Sequence, residues 1–262
     1  MLSGVLLARL TILLAAALLT LRPMASAAIE PSGAAATREI RFIYLVPRDR
    51  PVSRRYADAM SAAARHVQSW LGQALHGRTF RLADPAVRIV QSDKPARWFS
   101  AIDRHSGDAA FYLNTLDELT RLGVAGLNDP QARFMVYVDA DHACGQSGAG
   151  TSGLAVVSAN DLRGLGGERI LPACETPNGA EIAGRCRWIG GMGHELLHTL
   201  GLAHPDRSPA CQTARCRSEA LMMNGYIRYP NATLLDEEAA ALSRSPFMQD
   251  RVTGHPGDCA VP

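Results

Sequence analysis

The stretch Gly193-His194-Glu195-Leu196-Leu197-His198-Thr199-Leu200-Gly201-Leu202-Ala203-His204-Pro205 has the form H-E-x-x-H-x-x-G-x-x-H. His194 and His198 are four residues apart, so a helix places both imidazoles on one face. Two rings so placed can share one zinc ion at about 2.0–2.1 Å each. Glu195, beside the first ligand, is placed to take a proton from a zinc-bound water as general base. Gly201 allows the chain to leave the helix in a left-handed conformation, and that turn brings His204 back as third ligand. Three protein ligands leave one position open, which separates a catalytic zinc from a structural one. A lone H-E-x-x-H arises by chance on ordinary helices. The longer form fixes five positions, and Trp188, Ile189, Met192, Leu196 and Leu200 recur around it at helical spacing. Gly191 lies one turn before His194 on the same side, where a small residue leaves room for a metal site.

The extended pattern resembles that of the metzincin clan of zinc endopeptidases, whose second element is a tight turn with a methionine beneath the metal. Ala220-Leu221-Met222-Met223-Asn224-Gly225-Tyr226 follows the third histidine, and Asn-Gly is a strong turn signal. The resemblance makes Met222 or Met223 the hydrophobic floor of the site. Met222, which follows Leu221, is favoured; ordinary core filling suits a Met pair equally. Tyr226 stands three or four residues beyond these methionines, a longer spacing than in clan branches whose tyrosine reaches the zinc. Its role is therefore oxyanion contact or pocket wall, with Tyr226 to Pro230 forming that wall by analogy.

The resemblance also implies an α+β fold: a twisted mixed sheet backed by helices, the cleft below it, and the active-site helix followed by the Met-turn and a C-terminal helix. The chain supports this order. Glu39 to Val46, Thr79 to Leu82, Val87 to Val90, Phe134 to Val138 and Gly153 to Ser158 read as strands. Ser53 to Leu75, Ala109 to Leu122 (with Leu113, Leu116, Leu119 and Leu122 at spacing three), Arg187 to Leu200 and Leu234 to Leu242 read as helices. The strand from Gly153 is the last before the active-site helix. In the clan the corresponding edge strand binds extended peptide by strand addition, which makes Gly153, Leu154, Ala155 and Val156 candidate substrate contacts; a plain internal strand is the alternative.

Residues 1–27 read as a signal peptide: Arg9, an apolar run from Leu10 to Leu21, then Ala25-Ser26-Ala27 as cleavage site. Residues 28–37 form a flexible Ala/Gly/Ser/Pro leader, and 38–262 the catalytic domain. No matrixin-type cysteine switch stands in that leader. Export, to the periplasm or outside the cell, fits six cysteines, all beyond the signal segment. Proximity suggests Cys211 with Cys216 and Cys174 with Cys186, leaving Cys144 with Cys259. No C-x-x-C spacing supports a second metal site. A net charge of +2 gives no reason to expect nucleic acid or an anionic membrane as partner, and none to expect stable membrane association once the signal is removed. His66, His76, His105, His142 and His255 carry no ligand spacing. The sequence thus points to one catalytic zinc ion and a peptide or protein substrate. Two other readings remain: a zinc amidase acting on a non-protein or cell-wall amide, and a catalytically inactive secreted zinc-binding protein.

Overall fold

The computed structural model describes residues 37–103, 107–142, 148–168, 170, 184–251, 254–257 and 259. The expected signal peptide, the leader up to residue 36, Cys144, Cys174 and His105 lie outside the described residues. In chain order the elements are β1 (Glu39–Val46), α1 (Arg54–Ala74), β2 (Arg78–Phe80), β3 (Leu82–Gln91), α2 (Ala96–Phe99), α3 (Ala110–Arg121), β4 (Ala132–Val138), β5 (Gly148–Thr151), β6 (Leu154–Val157), α4 (Ala159–Gly166), α5 (Arg185–Thr199), α6 (Ala214–Glu219), α7 (Asp236–Arg244) and β7 (Met248–Asp250).

Five strands form a mixed sheet in the order β3-β1-β4-β6-β5. β1 runs parallel to β3 and β4, and β4 parallel to β6, while β5 runs antiparallel to β6. The central strands β1 and β4 are covered on both faces, which is why residues 42–46 and 134–138 read as unbroken apolar runs. Ile40, Phe42, Tyr44 and Val46 of β1, with Met135 and Tyr137 of β4, pack on the α1 and α5 side, with Met60, Val67, Leu71, Ile189 and Leu196. The alternate residues Ile43, Leu45, Phe134, Val136 and Val138 pack on the other side, against Phe99, Phe111 and Leu119. The result is a twisted mixed sheet backed by helices, as the family resemblance implies.

α1 begins at its Ser53 cap, whose Oγ accepts from the Tyr56 N–H at 3.4 Å, and ends at Leu75. Two expectations change in detail. The strand expected at Thr79 is β2, which leaves the main sheet to pair with β7. β3 runs on from Leu82 through Pro85, a residue that an edge strand tolerates beside a shift of register. α3 has the expected length, but it buries Phe111, Asn114, Thr115, Glu118 and Leu119 rather than a full leucine stripe. Asn114 donates to the carbonyls of Trp98, Phe99 and Ala101, and Glu118 accepts from Ser92 at 2.6 Å.

Two expectations are corrected. The strand read from Gly153 is β6, Leu154–Val157, and it is not an edge: β4 takes one side and β5 the other. Leu154, Ala155 and Val156 are fully buried, and Gly153 sits in the turn before them. The edge belongs to β5. The second correction concerns cysteines. Cys211–Cys216 forms as expected, but Cys186 bonds Cys259, with Cα atoms 5.1 Å apart. That bond excludes both Cys174–Cys186 and Cys144–Cys259. Nearness in sequence misleads because the C-terminal segment returns to the start of α5, where His66 of α1 also meets the Gly257 carbonyl at 2.8 Å. Among the described residues no helix is long and apolar enough to cross a membrane.

Candidate active site

α5 is two-faced. Ile189, Met192, Leu196 and Leu197 are buried in the core beneath the sheet, while His194 and His198 turn toward a cavity of about 1060 Å³. The helix stops at Leu200, and Gly201 then takes φ +95°, the left-handed conformation predicted for it. His204 comes back over the helix end. The Nε2 atoms of His194, His198 and His204 stand 3.0, 3.2 and 3.2 Å apart.

The outer ring nitrogens fix the tautomers. His194 Nδ1 lies 2.8 Å from the Leu221 carbonyl and His198 Nδ1 2.7 Å from the Leu202 carbonyl. A carbonyl only accepts, so each Nδ1 is the protonated donor and each Nε2 presents its lone pair. Lone pairs converging at about 3 Å repel unless a cation lies among them, and the triangle they form suits a ligand distance of about 2.0–2.1 Å. The three histidines can therefore hold a metal ion. Burial pushes the His194 pKa down to about 4 and also lowers that of His198, which keeps both rings neutral and ready to ligate.

Glu195 lies beside the triad with its carboxylate buried, and Oε2 has no hydrogen-bond partner. Burial, reinforced by the charge of Asp161 and opposed by Arg187, raises its pKa to about 8. A carboxyl group with its pKa in that range can take up and release a proton near neutral pH, and an orphaned buried oxygen beside the histidine triad suits a water or another polar group as its missing partner.

The roof over Glu195 is β5. A Cβ on Gly148 would lie 3.0 Å from Glu195 Cγ and Oε1, and one on Gly150 would lie 2.7 Å from His198 Cβ and 3.0 Å from the Glu195 carbonyl. Edge strand and metal-site helix approach this closely because these two positions carry no side chain. The turn after β5 is tied to the end of α5 by the Gly153 N–H, which donates to the Thr199 carbonyl at 3.0 Å.

The residues expected to form the Met-turn take different places. Leu221 supplies the carbonyl for His194, Met222 is fully buried in the core that includes Leu196 and Leu197, and Met223 lines the cavity. Tyr226 lines it too, its ring edge-on to His194 with centroids 5.4 Å apart. Gly191 also borders the cavity. Sequence reasoning missed Gly148 to Thr151, Asn160, Asp161 and Arg187, all in the cavity wall. Glycine alternating through Gly148-Ala149-Gly150 is a signal for close backbone approach. Nothing in the sequence links Asp161 to Arg187.

No protein-family model matches the chain, and no curated protein does. Two crystal structures of OgpA from Akkermansia muciniphila share the fold: the wild-type protein, and a catalytically inactive form in complex with an O-glycopeptide (glycodrosocin) substrate. Each matches with a TM-score of 0.51 at 18% identity, over 85% of this chain and 63% of that one. The chain thus spans less than two thirds of OgpA's length, and the likeness is one of fold.

Proposed function

We propose that the protein is an exported zinc-dependent endopeptidase of the metzincin type, with residues 1–27 as its signal peptide and 38–262 as its catalytic domain. The observation that carries this reading is the convergence of three imidazole nitrogens at 3.0–3.2 Å beside a buried carboxylate with an unpartnered oxygen. His194, His198 and His204 would hold the ion, with Met222 as the floor of the site. Zinc, when bound, supplies Lewis acidity that acidifies water and polarises a carbonyl. Glu195 takes the proton from the attacking water at its free Oε2 and returns it to the departing amide nitrogen. β5 presents the open sheet edge along the cavity, so an extended peptide adds there as a further strand with its backbone held in register. Tyr226, beside His194, borders the reacting carbonyl as pocket wall. The two disulfides among the described residues fit an oxidising compartment.

The test is digestion of a proteome-derived peptide library that includes O-glycosylated members, since OgpA was crystallised with an O-glycopeptide. The zinc-loaded protein should cleave peptide bonds, and a chelator should abolish this. Glu195→Gln should lower kcat by about 10²–10⁴-fold, the usual range for loss of a general base, while metal analysis still finds one zinc per chain. Undiminished cleavage by that variant would sink the mechanism. Zinc binding with no cleavage by the wild type would favour an inactive binding protein, and cleavage confined to non-peptide amides an amidase.

A further inference from the structure

Arg187 occupies the ligand face of α5. Positions 187, 191, 194 and 198 fall on one side of a helix, and Arg187 lies about 10 Å from His194 along the axis. Gly191, between them, leaves the path open: a Cβ there would first meet Arg187 Nη1 at 3.4 Å and Asp161 Oδ1 at 3.8 Å. The guanidinium carbon sits 4.0 Å from the Trp188 ring centre and 5.3 Å from that of Tyr226. Asp161 is its counter-ion, with Nη1 to Oδ1 at 3.8 Å, too long for a hydrogen bond. The Asp161 side chain is only 5% exposed against 19% for Arg187. Both side chains border the cavity, and the guanidinium is the more exposed of the pair.

A guanidinium beside two aromatic rings in a cavity wall can offer its N–H fork to a carboxylate, which it binds bidentately. An extended peptide advances about 3.3 Å per residue, so a side-chain carboxylate reaches Arg187 from within about two residues of the scissile bond. We infer that Arg187 selects peptides carrying Asp or Glu at such a position. This inference rests on the endopeptidase reading and deepens it.

The zinc-loaded full chain is given pairs of cleavable peptides that differ only as Glu against Gln, position by position around the scissile bond. The acid should be preferred at one position by about tenfold or more in kcat/KM, the size of a charge-assisted bond, and rising salt should erode that preference. Arg187→Gln should bring the ratio to near one. Arg187→Lys, which keeps the charge beside buried Asp161 and guards against misfolding, should leave a reduced ratio. Equal cleavage of Glu and Gln peptides by the wild type, or a ratio that survives Arg187→Gln, overturns the inference and leaves the endopeptidase standing. Cleavage of no peptide at all overturns the endopeptidase reading and this one with it.

Discussion

β5 and β6 are neighbours in one sheet and opposites in composition. β6 is Leu-Ala-Val-Val, buried at every position. β5 is Gly-Ala-Gly-Thr, alternately half-buried and exposed. β6 holds the sheet together by apolar contact. β5 brings the sheet edge onto His198 and Glu195 by having nothing to get in the way. Stability and reactivity are thus assigned to adjacent strands, one through the side chains it carries and the other through those it lacks.

Substitutions can break this contrast. Gly150→Ala should have the largest effect. Its Cβ would meet His198 Cβ and the Glu195 carbonyl, atoms carried by the α5 backbone, so strand or helix must shift. A displacement of about 1 Å in such a site costs about 100-fold in rate, and kcat/KM on a cleaved peptide should fall by that order with little change in thermal stability. Gly148→Ala presses only on the Glu195 side chain and should cost less. Wild-type rates for Gly150→Ala would show that the close approach is unimportant. Leu154→Ala in β6 should do the reverse. It should lower unfolding free energy by about 2–5 kcal/mol, read by denaturant titration, while kcat per folded molecule stays unchanged.

Acidification should sharpen the contrast with the smallest effect. In the metal-free protein burial holds the His194 pKa at about 4 against an ordinary 6.5, so the folded state disfavours protonation. The stability this histidine contributes is complete above about pH 6.5 and should be lost progressively as pH falls toward 4. Amide protection should fail first in β5 and the end of α5, with β6 holding. Uniform loss across both strands would remove the distinction.

The same contrast explains what the sequence could reveal. β1, β4, α1 and α5 carry enough apolar side chains to announce themselves, and the spacing of His194, His198, Gly201 and His204 encodes their convergence within one local turn. β5 carries no such signal, since its glycines resemble a loop until a helix is seen against them. Read from sequence, the edge therefore falls on β6, whose buried run is the stronger strand signal. α4 escaped for a related reason: it is eight residues long and ends in Gly164, Gly166 and Gly167. Cys186–Cys259, 73 residues apart, and Arg187–Asp161 are products of chain return, which no local pattern records.

The hydrogen bond from the Gly153 N–H to the Thr199 carbonyl gives the cleft one fixed jaw. Strand edge and histidine helix are clamped together at that point as well as through the glycines, so they travel as one part. The wall from residue 223 to 227 is bound to the same helix: His194 bonds the Leu221 carbonyl just before it, and a Cβ on Gly190 would run into the Tyr226 carbonyl, so both sides of the cleft are referenced to α5.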